Sequence, residues 1–159
     1  MGAYHLRRSE KAIEDEAEIR AIIEEAEHMT LALTRGDEPY LVTVNFAFDA
    51  AESCFYFHCA TEGKKLEFLA ANPRVWGQVL IDDGYIDGSC DHAFRTVQFP
   101  GTAEPVVSRD EKASALMRMA DQLESDPDAI RERSIDGRDL DDVLIYRIRA
   151  EGFTGKRNS

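Results

Sequence analysis

Tyr40-Leu41-Val42-Thr43-Val44-Asn45-Phe46-Ala47-Phe48, then the turn Asp49-Ala50-Ala51-Glu52-Ser53, then Cys54-Phe55-Tyr56-Phe57-His58-Cys59-Ala60: the fold is read from this pair of segments. Both are rich in β-branched and aromatic residues, which fit a pleated, half-buried surface. Side chains alternate across a strand, so Val42, Val44, Phe46 and Phe48 share one face while Thr43 and Asn45 share the other. In the second segment Phe55, Phe57 and Cys59 oppose Tyr56, His58 and Ala60. If the two pair as a hairpin, the apolar faces must coincide, because a slip of one residue would put phenylalanines in water. Asn45 and His58 then share a face. The register that pairs Phe46 with Phe57 sets them directly opposite each other, with Cβ atoms roughly 5 Å apart.

The second strand runs into Thr61-Glu62-Gly63-Lys64-Lys65, read as the start of a short helix capped by Thr61 and ending before Asn72-Pro73. A helix start offers free backbone N–H groups to an anion. Gly63 permits close approach, and the two lysines supply the charge a phosphate needs. One polar hairpin face beside a phosphate cradle suits a phosphorylated planar cofactor. The spacing is not that of a Walker loop, and no Gly-x-Gly-x-x-Gly is present.

Working outward, residues 1–13 read as a polar arm. Ile19, Ile22, Ile23 and Ala26 recur at helical spacing within Glu14 to His28, with Glu18, Glu24 and Glu25 on the solvated face. Thr30 to Thr34 is a strand, and it is expected to form a meander with the two quoted segments. Arg74 to Ile81 is a further strand, whose Trp76 reads as core. Asp82 to Asp91 reads as a mobile loop. Ala93 to Val107 is strand-like, with a bulge or bend expected at Pro100-Gly101. Ser108 and Glu111 form a capping box for a helix striped with Leu116, Met119, Ala120 and Leu123. Residues 125 to 141 are acidic and irregular. Val143 to Arg149 is a last strand, and residues 154–159 read as a frayed tail. Six strands and three helices without regular alternation predict a mainly β fold, an antiparallel barrel with peripheral helices, in one domain over 1–159.

Composition narrows the function. The chain has 159 residues, 43% hydrophobic, with a formal net charge of −12. A nucleic-acid partner wants a basic face and an anionic membrane surface wants basic clusters. Neither is expected here. Cys54, Cys59 and Cys90 match no zinc spacing, and Cys54 and Cys59 have opposite strand parity, against a disulfide. Cys90-Asp91-His92 is too sparse to complete a metal site. Free cysteines, with no leader-like apolar stretch and no run of ~20 apolar residues, suggest a cytoplasmic protein.

Several of these residues also carry a family resemblance. Leu31-Ala32-Leu33, Pro39 to Phe48, Tyr56-Phe57-His58-Cys59-Ala60-Thr61-Glu62-Gly63-Lys64-Lys65-Leu66, Asn72-Pro73-Arg74-Val75 and Thr154-Gly155-Lys156 are similar, in order, to the pyridoxamine 5′-phosphate oxidase-related superfamily. Within it they most resemble the NimA type of 5-nitroimidazole resistance protein. The resemblance implies a six-stranded split barrel that forms a homodimer and binds FMN between subunits. It places Thr43, Val44, Asn45 and Phe46 near the isoalloxazine ring, lets His58 and Ala60 line the site, and gives the ribityl phosphate to Glu62, Gly63, Lys64 and Lys65. Two departures stand out: Cys59 where the family often has serine, and Arg95 to Gly101, which matches its fifth strand only loosely.

The function this implies is an FMN-dependent oxidoreductase acting on a small organic substrate such as a nitroaromatic. His58 would be the catalytic proton donor, since an imidazole ordinarily titrates near ~6.5. The alternative is a non-catalytic flavin or haem carrier or sensor of the same fold.

Overall fold

The strand expected over Tyr40 to Phe48 is present and broken at one residue. In the computed structural model, which describes residues 7–132, 140 and 143–159, β3 (Glu38–Asn45) and β4 (Ala47–Asp49) flank Phe46. The other strands are β1 (Ala12–Ile13), β2 (His28–Arg35), β5 (Cys54–Cys59), β6 (Arg74–Ile86), β7 (Asp91–Pro105), β8 (Leu144–Ala150) and β9 (Thr154–Asn158). The helices are α1 (Glu16–Glu25), α2 (Lys64–Ala71), α3 (Arg109–Leu123) and α4 (Pro127–Arg131).

All pairings are antiparallel, in the order β3-β2-β6-β7-β8-β5-β4, with β9 joining β7 to β1. The two ends of this path, β3 and β4, are consecutive in the chain. The hydrogen-bonded sheet therefore stays open, and Phe46 links its ends covalently. Counting β3 and β4 as one interrupted strand, the path is a six-stranded split barrel.

Alternation places the core. Leu31, Leu33, Val44, Phe46, Phe55, Phe57, Val79, Val97 and Phe99 turn inward and are buried with Ile19, Ile22 and Ile23 of α1 and Phe68 and Leu69 of α2. Phe55 and Phe99 stack with centroids 4.1 Å apart. Asp15 caps α1 by accepting from the Ala17 N–H at 2.9 Å. A second core lies outside the barrel, where Ala115 and Met119 of α3 cover Ala47, Cys54, Tyr56 and Ile145. Ser108 caps α3 by accepting from the Glu111 N–H.

Among the described residues no helix covers the opposite outer side of the barrel in this way. Leu41, Ala32, Trp76 and Pro100 lie in one cross-strand row, and Thr43, Thr30, Gln78 and Gln98 in the next. Leu41 is 67% exposed and Leu80 49%. Trp76, read from the sequence as core, belongs to this face and is exposed.

Several expectations need correction. The meander forms only in part: β2 and β3 are a hairpin, while β5 pairs with the end of the second segment, β4, and with β8, but not with β3. The loop expected at Asp82 to Asp91 is mostly strand, since β6 and β7 pair as far as Ile86 and Asp91. That ladder is irregular at Asp82/Gly84, not at Pro100-Gly101. Asp83 is the extra residue, and it re-phases the strand so that exposed Tyr85 continues the outward row of Leu80. At Pro100 β7 instead exchanges neighbours, pairing with β9 up to Gln98 and with β8 from Gly101. The tail expected to fray is β9, held between β1 and β7. Of the arm, Ala12 and Ile13 pair with that strand. Glu18 and Glu25 are not simply solvated, as they bind Arg157 and Arg95. Residues 133–139, 141 and 142 of the acidic stretch lie outside the described residues.

Candidate functional site

The break at Phe46 opens a gap in the barrel wall. The β4–β5 ladder ends at Ala47 opposite Tyr56, and no ladder joins β3 to the rest of β5. Thr43 and Asn45 line one side of the gap and His58 and Ala60 the other, all exposed. The cross-strand pair expected between Asn45 and His58 does not form. Asn45 sits opposite His28 of β2 and donates its Nδ2 proton to the Glu27 carbonyl at 3.0 Å, while His58 lies opposite Ile145. β3 is hydrogen-bonded along one edge, to β2, and its other edge parts from β5 at Phe46. Both side chains still face outward. Val44 and Phe46 turn into the core, so at this gap they offer only backbone.

After Cys59 the chain leads into α2, which docks along β2 and the start of β3. Asn72 Nδ2 donates to Thr34 Oγ1 at 2.8 Å, and Phe68 packs under Tyr40 with centroids 5.1 Å apart. Thr61 does not cap this helix. Gly63 does, at φ 134°, with its carbonyl accepting from the Leu66 N–H at 2.9 Å. An L side chain rarely adopts that φ. No protein atom lies within 4 Å of where a Cβ would sit, so the approach to the helix start is open. The leading N–H groups of a helix have no partner within it.

The two lysines differ. Lys64 Nζ meets Glu38 at 3.1 Å, and Glu38 also binds Arg35, which reaches on to Glu67. Lys64 and Arg35 together hold the Glu38 carboxyl below its usual range. These four charges cancel locally. Lys65 has no carboxylate partner among the described residues and lies over the Phe57 ring at 5.4 Å. Beside it, burial pushes the Cys59 thiol up, with Lys65 pulling the other way. Glu62 is exposed and leads into the turn.

The gap thus combines exposed hydroxyl, amide and imidazole groups with an unpaired cation and open backbone N–H groups. That set fits a flat molecule with an anionic tail. Sequence reasoning missed His28 and Glu38. His28 was placed at the end of the first helix, yet the alternation of Met29, Leu31 and Leu33 already carried the signal of a strand reaching back to it.

Among the described residues no group of three His, Cys, Asp or Glu is placed to hold a metal, and no helix is long and apolar enough to cross a membrane. Cys54, Cys59 and Cys90 are free thiols.

Comparison with known proteins follows the same lines. A family model described as pyridoxamine 5′-phosphate oxidase matches residues 15–157. No curated protein sequence matches the chain. Among solved structures, one is described as a candidate 5-nitroimidazole antibiotic resistance protein from Bacteroides thetaiotaomicron. It is 24% identical, with a TM-score of 0.72 over 92% of this chain and 86% of that one. An FAD-binding protein from Mesorhizobium loti is 22% identical, with a TM-score of 0.64 over 94% and 98%. An FAD- and haem-binding protein from Mycobacterium smegmatis is 18% identical, with a TM-score of 0.73 over 94% and 74%. At these identities the likeness is one of fold.

Proposed function

Because the chain belongs to the pyridoxamine 5′-phosphate oxidase family, we propose that the gap between β3 and β5 holds FMN and that the protein is an oxidoreductase acting on a small organic compound, of which a nitroaromatic is one type. The observation that carries this reading is Lys65, a cation without a carboxylate partner among the described residues, at the open start of α2. Lys65 and the N–H groups after Gly63 bind the phosphate. Lys64 adds charge if it releases Glu38, and Glu62 flanks the turn. Thr43 and Asn45, with the Val44 and Phe46 backbone, orient the ring, while Ala60 leaves room for it. The cofactor, when bound, supplies two-electron redox chemistry that the side chains lack. His58, exposed at the rim, delivers a proton from an imidazole nitrogen to the reduced substrate.

The assembly proposed with it is a homodimer. In a chain of net charge −12, the outward row of Leu41, Ala32, Trp76 and Pro100 contains no acid or base. A second copy meets least repulsion there.

Titrating the purified protein with FMN, and separately with haem, tests the reading. A flavin visible band that travels with the protein, with one FMN per chain, supports it. Haem binding without flavin binding would replace it with the carrier reading, as would FMN binding with no turnover of any acceptor.

A further inference from the structure

Beside the proposed ring position lies a groove that the flavin reading does not use. It encloses about 440 Å³ and is lined by Glu25, Ala26, Glu27, His28, Thr30, Gln78, Leu80, Ile81 and Asp82. Small-molecule sites span roughly 300–1,000 Å³. Two contacts connect it to the gap: Thr30 Oγ1 meets Thr43 Oγ1 at 3.1 Å, and Asn45 donates to the Glu27 carbonyl. Half-exposed Leu80 and the Ile81 flank supply apolar surface. Polar groups point in from several sides. The Gln78 carbonyl oxygen accepts from Gln98 at 2.7 Å, which leaves the Gln78 NH₂ for a ligand.

Its charge is one-sided. Three carboxylates line the groove, and neither lysine nor arginine does. Glu25 is bound by Arg95, which also holds Asp83, so that trio is left one negative charge in excess. Asp82 is bonded to His92 Nε2 at 2.5 Å. The Glu27 carboxylate and the His28 imidazole have no partner among the described residues. A ligand carboxylate or phosphate entering here would meet like charge. A planar cation, or a neutral ring bearing N–H groups, would meet Glu27 as an acceptor and Leu80 as a floor.

We infer that this groove is the substrate subsite, and that it takes small planar cationic or N–H-bearing aromatic compounds and turns away anionic ones. The inference rests on the flavin reading for its role and on the groove alone for its selectivity.

Benzamidine and benzoate, similar in shape and opposite in charge, separate the two. Each is titrated into the ¹⁵N-labelled full-length protein with and without FMN. Benzamidine is expected to shift the resonances of Glu27, His28 and Gln78 and to bind at least tenfold tighter than benzoate. Glu27→Gln, at an exposed position whose carbonyl bond to Asn45 is retained, is expected to weaken benzamidine by roughly fivefold, the size of a solvent-exposed charge pair. His28→Leu serves as a second variant. Equal affinity for benzoate, shifts elsewhere on the protein, or an unchanged Glu27→Gln affinity would overturn the inference. If FMN binds and benzamidine does not, the groove assignment fails alone. If benzamidine binds and FMN does not, the substrate role falls with the flavin reading.

Discussion

The ring of Phe99 lies across Gly77, its cross-strand partner, so closely that a Cβ at residue 77 would come within 2.6 Å of Phe99 Cε2. The space a side chain would take on β6 is filled by an aromatic ring from β7. That ring in turn stacks on Phe55 and meets Phe153 edge-on.

Gly77→Ala is therefore expected to destabilise the barrel. Displacing a ring in a packed core costs about 1–3 kcal/mol. A lowered midpoint in urea unfolding with an unchanged slope checks this, and an unaltered midpoint would show that the ring moves freely.

Lys65→Gln is expected to lower FMN affinity by about 1.5–3 kcal/mol, the range for a hydrogen bond to a charged group. Fluorescence quenching of free FMN on binding measures it. Lys64→Gln is expected to do less, because Lys64 is shared with Glu38.

Glu38→Gln should act in the opposite sense. It frees Lys64, while Arg35 keeps Glu67, and FMN affinity should rise a few-fold, most at low salt. The Glu38 carboxyl is held below its ordinary value by Lys64 and Arg35, so it stays ionised at neutral pH and the competition is in force there. An FMN affinity unchanged in Glu38→Gln at neutral pH would count against the competition.

His58→Ala is expected to cut turnover with an electron acceptor by ~10²-fold or more while leaving FMN bound, as removal of a positioned proton donor does. Unchanged turnover would remove His58 from the mechanism.

Leu41→Glu places a carboxylate at the β3 end of the uncovered face, where Leu41 is 67% exposed. The expected result is a shift from twice the chain mass to a monomer by light scattering, with the fold intact. A wild-type protein that is already monomeric would dismiss the dimer.

The local rules of the chain are plain in its sequence, and what crosses between distant segments is not. The alternation around Val42 to Phe48 and Phe55 to Cys59 gave the inward set correctly, because burial leaves one choice of face. Of the registers that choice allows, β4 and β5 take the one in line with Phe46 opposite Phe57, since Ala47 lies opposite Tyr56. What alternation does not reveal is that β3 parts from β5 at Phe46, so that Asn45 is laddered with His28 of β2 and not with His58. The polar run Asp82 to Asp91 looked like a loop because it has no buried residue on either face and so carries no apolar alternation, and there the pairing with β7 decides. The tail was misread for a similar reason. Gly155 of β9 has little to announce it, yet a Cβ there would lie 2.8 Å from Ile13 Cβ. At the site, the two lysines were legible from spacing. Their inequality was not, since it depends on Glu38, far away in sequence.

The supernumerary residue at Asp83 has an evolutionary corollary. Everything from Gly84 to the hairpin tip owes its orientation to an odd count, so losing a single codon there would turn Tyr85 inside out, whereas losing two would not. Descendants of this gene should therefore shorten or lengthen that hairpin in pairs of residues.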